Sequence, residues 1–166
     1  MRWLLAAALL MGCAKQVPSD KSSSKKQRKY EGKYTVGSPG SGWSKVKPGG
    51  ADKAWFHKDS GATIYFDSNC LERFEDGKLG ALLTQLTLGI ASGEPTREEQ
   101  MMLDGRAALI RVQAGQIDGV PVQVGAVVTK KNSCLYDGLL IASPSTFESH
   151  WSTFSGVISG FKTKGG

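Results

Sequence analysis

The chain has 166 residues, of which 40% are hydrophobic and 22% are charged, and its formal net charge is +6. This length fits one domain with a modest core and is too short for two full domains. The ordinary balance of apolar and charged residues excludes wholesale disorder, a collagen-like chain and a disulfide-dense scaffold. No apolar stretch reaches the roughly 18 residues that a membrane-spanning helix needs.

The positive charge is concentrated at the N terminus. Residues 1–33 hold eight basic and two acidic side chains, a net charge of +6, whereas residues 34–166 hold 13 of each and are neutral. Because the affinity of proteins for DNA depends largely on neutralising phosphates, a neutral domain argues against nucleic acid as a partner.

A short apolar segment begins just after the first basic residue. Met1 and Arg2 give a positive start, and residues 3–11 are nine apolar side chains, which is the length of a signal-peptide core. The segment ends in Leu10-Met11-Gly12-Cys13. This motif resembles the lipobox of bacterial lipoprotein precursors, in which a small residue precedes a cysteine. An ordinary secretory signal with a chance cysteine is the alternative.

The lipobox resemblance implies that Cys13 is the lipid attachment site. In that family the thiol is joined to a diacylglyceryl group, and a peptidase then removes the signal peptide, here residues 1–12. Two or three acyl chains hold a protein at a membrane without a spanning helix. We therefore expect a cell-envelope protein that faces the periplasm or the exterior. Ala14 stands where the family's inner-membrane retention signal has Asp, which favours the outer membrane in a bacterium with two membranes.

Residues 13–33 are predicted to be the lipidated cysteine and a flexible basic tether. Ser, Lys, Pro and Gln dominate this segment, so it has almost no apolar surface to bury. About 20 flexible residues span on the order of 25 Å. Residues 34–166 are then expected to form a single domain displayed a short distance from the membrane.

The first half of the domain is predicted to contain three strands and a helix. The strand candidates are residues 34–36, 54–58 and 62–66, and Asp59-Ser60-Gly61 forms a hairpin-type turn between the last two. Asp76 is the predicted N-cap of a helix, and Gly93 follows the end of its apolar pattern. The apolar residues of that helix recur at helical spacing: Leu79, Leu82, Leu83, Leu86 and Ile90.

Four strands and a second helix are predicted in the remainder. The strands cover residues 98–103, 106–114, 120–130 and 134–142, separated by tight turns at Asp104-Gly105, Asp118-Gly119 and residues 131–133. The third strand alternates as a half-buried antiparallel strand does, and Asp137-Gly138 in the fourth suggests a bulge. Ser145 and Glu148 predict a capping box at the start of the helix. Its core face is an apolar, largely aromatic stripe: Phe147, Trp151, Phe154, Ile158 and Phe161.

These elements predict an α+β fold, a largely antiparallel β-sheet flanked by two helices. Their order resembles the PsbP-like sandwich, which is shared by an extrinsic subunit of photosystem II, a Ran-binding import factor and many bacterial lipoproteins. The supporting residues are Cys70, the strand meander, the sequence Cys134-Leu135-Tyr136-Asp137, and the last helix. The resemblance implies a binding or assembly role, and it transfers no functional residue to this chain.

Two cysteines remain once Cys13 is assigned to lipid. In an oxidising compartment an even number favours a disulfide between Cys70 and Cys134. That bond would close a loop of about 65 residues, worth on the order of 4 kcal/mol in the chain-entropy model. A redox pair is the rival interpretation, but the chain has no C-x-x-C spacing and no cation cluster near either cysteine.

The chain contains two histidines, His57 on a predicted strand and His150 on the last helix. Isolated from each other they supply at most half of a zinc site, so surface or capping roles are expected for both. The sequence contains neither a G-x-S-x-G motif nor a P-loop. We therefore predict no catalytic, metal or cofactor site.

The leading hypothesis is a non-enzymatic, membrane-anchored lipoprotein whose domain binds an envelope protein or another envelope component. The alternative is an envelope hydrolase or a small-ligand-binding enzyme that uses His57 or His150. A buried polar cleft that holds one histidine beside a carboxylate would favour this enzyme, whereas two distant histidines on open surface would argue against it. A third possibility is that the basic tether alone binds an anionic surface.

Overall fold

The structure is a computed structural model that describes residues 33–70 and 77–164. Within these residues the strands are β1 (Tyr34–Thr35), β2 (Trp43–Lys45), β3 (Lys53–His57), β4 (Thr63–Asn69), β5 (Arg97–Leu103), β6 (Arg106–Ile117), β7 (Val120–Lys131), β8 (Cys134–Ala142) and β9 (Lys162–Thr163). The helices are α1 (Leu79–Leu86) and α2 (Phe147–Ser159). The signal peptide, Cys13, the tether up to residue 32 and Asp76 lie outside the described residues.

Seven strands form one antiparallel sheet in the order β2-β3-β4-β8-β7-β6-β5. Tight turns join β5 to β6, β6 to β7 and β7 to β8. Asp118 and Gly119 have φ values of 50° and 80°, and Asn132 and Ser133 have 53° and 58°. Positive φ at both central residues is typical of type I′ hairpin turns, whose twist matches that of the strands. The predicted order of strands and helices is confirmed.

The two helices cover opposite faces of the sheet. Helix α2 packs its aromatic stripe against residues such as Ile64, Phe66 and Ile110. Helix α1 packs Leu82 and Leu83 against the other face, in a smaller cluster with these strand residues: Leu109, Ala126, Val128 and Leu135. The prediction of a half-buried β7 is therefore wrong for the middle of this strand, where residues 124–129 are all buried because both faces are covered.

A two-stranded ribbon brings the ends of the described domain together. β1 pairs with β9 in antiparallel register, and the Gly37 amide donates to the Val157 carbonyl of α2. The side chain of Asp104, in the β5–β6 turn, accepts hydrogen bonds from the amide and hydroxyl of Thr163. The short strands β2 and β9 were not predicted, because two or three residues carry no periodic signal.

The predicted start of α2 and the predicted end of α1 need correction. The Ser145–Glu148 capping box is wrong: α2 begins at Phe147 after Thr146, without a side-chain cap. The Ser145 hydroxyl lies against the Ser143 hydroxyl instead. Helix α1 ends at Leu86, and Ile90 lies beyond it, where its carbonyl accepts from Gln116 of β6. The sheet thus takes up backbone that the apolar pattern assigned to the helix.

The predicted bulge at Asp137-Gly138 is also wrong. β8 pairs in unbroken register with β4 and β7 through both residues. A Cβ atom built on Gly138 would lie 2.5 Å from Cε1 of the Phe66 ring. Gly138 therefore gives room to a core aromatic ring and does not bend the strand.

The structure joins Cys70 and Cys134 in a disulfide, as predicted. Cys70 follows β4, and Cys134 is the first residue of β8. The register pairs the preceding residue, Asn69, with Leu135, so the two cysteines come opposite each other on neighbouring strands. In the described residues no helix combines the length and apolar character needed to cross a bilayer.

Candidate functional site

The two histidines meet at one end of α2. His57 is the last residue of β3, Ser60 lies in the turn that leads to β4, and His150 is in the first turn of α2. The ring centroids of the histidines are 4.7 Å apart. The prediction that they are isolated is wrong, because the β3–β4 turn packs against the start of the helix, 90 residues later in the sequence.

The Ser60 hydroxyl bridges the two rings. Its Oγ atom is 3.0 Å from His57 Nδ1 and 2.7 Å from His150 Nε2. A hydroxyl has one proton, so it donates to at most one imidazole and accepts an N–H from the other. At least one ring therefore presents an N–H group to Ser60, and the tautomers of the two rings decide whether the other presents a lone pair. We call this arrangement of His57, Ser60 and His150 the histidine pair site.

Trp43 and Gly42 hold the histidine pair site from one side. The Trp43 ring makes edge contacts with His57 and His150, with centroid distances of 5.3 Å and 5.2 Å. A Cβ atom at Gly42 would lie 2.8 Å from His57 Nε2, so only glycine leaves room for the ring. Since Nε2 of His57 faces this backbone, Nδ1 is the nitrogen directed at Ser60.

Burial, and then the proximity of His57, lowers the pKa of His150. His150 is 7% exposed, so its charged form loses most of its contact with water. Among the described residues neither imidazole forms an ion pair with a carboxylate. The site can hold or transfer a proton and can offer two nitrogen ligands, but within residues 33–70 and 77–164 no carboxylate orients either base as in a Ser-His-Asp arrangement.

A second feature is a groove of about 530 Å³ on the face of the sheet that α1 covers. Its lining combines polar side chains of α1, β5 and β6 with one exposed leucine. The residues are Thr84 of α1, Thr87 and Leu88 just after α1, Glu98 of β5, and Arg111 and Gln113 of β6. We call it the α1 groove. A volume of this size is within the range of small-molecule sites.

The polar groups of the α1 groove are held in place by one another. Arg111 Nε donates to Glu98 Oε2 at 2.5 Å, and Arg111 Nη1 donates to Thr84 Oγ1 at 3.0 Å. The Gln113 amide donates to the Gly93 carbonyl. Leu88, with 78% of its surface exposed, adds an apolar contact at the edge. The result is a preformed surface with both charges and an apolar contact point.

The sequence predicted neither feature. The histidine pair site requires a contact between residues 57 and 150, and the only local signal was a histidine three positions before the serine of a predicted turn. The α1 groove combines residues from four segments with no shared motif. Of the predicted site residues, Cys70 and Cys134 form a disulfide, whereas Cys13 lies outside the described residues.

Comparison with solved structures found proteins of similar architecture, whereas the sequence comparisons found none. No family model matches the chain. No curated protein matches it in sequence either. Among solved structures, LpqN of Mycobacterium tuberculosis, involved in cell envelope biogenesis, is similar with a TM-score of 0.57 and 11% identity over 81% of this chain and 86% of LpqN.

Two further structures are similar over 75% of this chain and 83% of their own. CyanoP, the cyanobacterial PsbP of Synechocystis, has a TM-score of 0.50 and 16% identity. PA94 of Pseudomonas aeruginosa, which is of unknown function and described as a candidate regulator, has a TM-score of 0.51 and 12% identity. The chain has a PsbP-like fold. At these low sequence identities the similarity to PsbP-like proteins shows the fold alone. The lipoprotein signal at Cys13 stays a prediction.

Proposed function

We propose that this chain is a lipid-anchored protein of the bacterial cell envelope whose PsbP-like domain binds an envelope protein or another envelope component. The observation that carries the proposal is the disulfide between Cys70 and Cys134. Disulfides persist in exported proteins and are rare in the bacterial cytosol. A structural disulfide therefore supports the export that the lipobox-like sequence at Cys13 predicts.

The α1 groove supports a binding role for the domain. Its charged pair, Arg111 and Glu98, is already in place, so a partner meets an ordered surface and does not have to order these side chains itself. Leu88 gives that partner an exposed apolar contact. LpqN, which shares the fold, is described as involved in cell envelope biogenesis, and an envelope role for this chain is consistent with that.

A second candidate function is hydrolysis at Ser60. It is favoured by the 2.7 Å contact between Ser60 Oγ and His150 Nε2, which is the geometry of a nucleophile and its base. The absence of a carboxylate partner for either histidine in the described residues weakens this candidate. A fluorophosphonate probe decides it: labelling of the wild type but not of Ser60→Ala supports hydrolysis, and an unlabelled wild type rejects it.

The anchor is tested by mass spectrometry of the mature protein and by membrane fractionation. We expect a diacylated or triacylated Cys13 as the first residue and a membrane-bound product. Cys13→Ser is expected to be neither lipidated nor retained. An intact Met1, or a free thiol at Cys13 in a membrane-bound wild type, would contradict the anchor.

The binding surface is tested by crosslinking the anchored protein in intact cells and capturing its partners. Leu88→Asp places a charge at the edge of the α1 groove and is expected to remove an enriched partner. Val120→Asp is the matched control, because Val120 is also an exposed apolar residue, at 62%, and lies at the β6–β7 turn. Equal capture by both variants would place the binding surface elsewhere.

A further inference from the structure

The histidine pair site directs two ring nitrogens at a single atom. His57 Nδ1 and His150 Nε2 lie 3.0 Å and 2.7 Å from the same Ser60 oxygen. We propose that a divalent late transition metal ion, Zn²⁺ or Cu²⁺, binds between these nitrogens at the position of the Ser60 hydroxyl. The histidine pair site is then a metal site, and this inference does not depend on the proposed binding role of the α1 groove.

The ligand chemistry fits this class of ion. Neutral imidazole is a preferred ligand of zinc and copper, with bonds of about 2.0–2.1 Å. Each nitrogen is already within about 1 Å of that distance from the Ser60 oxygen, so small movements of the two rings bring both to bonding distance. A ring that donates an N–H to Ser60 binds the ion after that proton exchanges, through water, to its other ring nitrogen. Rotation about χ1 of Ser60 moves its hydroxyl, which also accepts from the Ala62 amide, out of the position that the ion takes.

The surroundings keep the two rings in position without metal. Trp43 contacts both imidazoles edge-on, and Gly42 leaves no free space on the far side of His57. Preorganised ligand orientation is what outer contacts provide in known metal sites. The two imidazole rings are therefore already oriented before an ion binds.

The site is expected to be open and exchangeable. In the part of the chain that the structure describes, no group of three or more histidine, cysteine or acidic side chains could hold an ion. Two protein nitrogens leave the remaining coordination positions to water or to an oxygen of a bound molecule. This differs from a structural zinc site, whose four positions are filled by protein.

The test is a titration of the full chain with the substitution Cys13→Ser, which leaves no free thiol to compete for the metal. The protein is kept in detergent and carries no affinity tag, and the buffer contains no reductant. Calorimetry with ZnCl₂ at about pH 7.5, where neutral imidazole predominates, is expected to give one bound ion per chain. His57→Ala and His150→Ala are each expected to raise the Kd at least about tenfold. Ser159→Ala is the matched control, because Ser159 is exposed at the other end of α2 from His150 and its hydroxyl bonds the Gly156 carbonyl. This variant is expected to change the Kd less than about threefold.

A second measurement avoids variants, since replacement of the buried His150 can unfold the protein. Zn²⁺ is expected to shift the imidazole NMR signals of both histidines, saturating at the same concentration as the calorimetric titration. CuCl₂ is expected to quench the tryptophan fluorescence of the wild type and to saturate at one ion per chain, because Trp43 contacts both rings. No saturable binding below about 1 mM, or a shift of only one histidine, would overturn the proposal.

Discussion

Asp67 of β4 and Asp137 of β8 are directly opposite each other on hydrogen-bonded antiparallel strands. Opposite residues of such a pair project from the same face of the sheet, so two carboxyl groups are brought together. Burial, then the proximity of Asp67 and of Asp52, raises the pKa of Asp137 to about 7. The native protein therefore keeps Asp137 protonated at pH values where an unfolded chain, with a pKa of about 3.9, does not.

This pair predicts a loss of stability as the pH rises. The folded state holds a proton that the unfolded state has released, so the contribution is complete below about pH 4 and is lost as the pH passes about 7. Asp137→Asn, which cannot ionise, is expected to remove most of this dependence, a difference on the order of 3 kcal/mol between about pH 5 and about pH 8. Urea unfolding at the two pH values measures it. Asp118→Asn, in an exposed turn, should leave the dependence unchanged, and an unchanged dependence in Asp137→Asn would contradict the prediction.

The β6–β7 turn and Gly138 of β8 show what local sequence patterns can and cannot predict. The hairpin of β6 and β7 was predicted correctly, because Asp118-Gly119 supplies both positive-φ residues of the turn and the flanking residues alternate. At Gly138 the glycine was interpreted as a bulge, but the cause is the Phe66 ring on the neighbouring strand. The local sequence around Gly138 therefore could not show that Phe66, which is distant in the chain, requires a glycine there.

The histidine pair site was missed for a related reason. Its members share no spacing, since His57 and Ser60 belong to one hairpin and His150 to a helix at the other end of the chain. The elements that hold these residues were predicted, but the packing of the β3–β4 turn against the helix start was not. Sequence patterns therefore located the supporting elements and left their contact undetermined.

The disulfide is expected to contribute much of the stability of the domain. Cys70 and Cys134 are 64 residues apart, and a bond closing such a loop is worth on the order of 4 kcal/mol. Cys134→Ala is expected to lower the free energy of unfolding by an amount of that order, and a reducing agent should reproduce the loss in the wild type. Chemical denaturation with and without reductant measures both.

Cys13→Ser is the control for the disulfide experiment, since it removes a cysteine that is not in the bond. A thiol count on the folded, unreduced protein gives an independent check. We expect neither Cys70 nor Cys134 to react. Two reactive thiols in the domain, together with no effect of the reductant, would show that the bond is absent from the native protein.

Asp104 predicts the opposite pH dependence at acid pH. Hydrogen bonds from Lys131 and from Thr163 hold the pKa of the Asp104 carboxyl well below its usual range. A lowered native pKa gives stability that is present above the unfolded pKa, about 4, and is lost as the pH falls below it. Asp104→Asn should therefore lower the melting temperature at about pH 7 and reduce its fall between about pH 4 and pH 2.

The backbone at Asp104 makes this substitution a clean test. Its φ value is 46°, and asparagine accepts the left-handed region as aspartate does. Asp118→Asn is the matched control, because Asp118 also precedes glycine in a hairpin turn with a φ of 50°. If both variants have the same melting temperature at neutral pH, the carboxylate of Asp104 does not hold the C-terminal strand.

Two glycine substitutions should change stability in opposite directions. At Gly138 a Cβ atom would lie 2.5 Å from the Phe66 ring, which is 3% exposed and packs against Trp55 and Phe154. Because that ring is buried and would have to move away from the new methyl group, Gly138→Ala is expected to cost about 1–3 kcal/mol. Gly156 lies exposed within α2, and no heavy atom is within 4 Å of its Cβ position. Gly156→Ala is therefore expected to add roughly 0.5–1 kcal/mol.

The double variant Gly138→Ala with Phe66→Leu separates the clash from other effects of the methyl group. A smaller side chain at residue 66 leaves room for the methyl, so the added cost of Gly138→Ala should be smaller in the Phe66→Leu background than in the wild type. Thermal and urea unfolding of the wild type, the two single variants and the double variant give the coupling free energy directly. An equal cost of Gly138→Ala in both backgrounds would mean that Phe66 is not what requires glycine at this position.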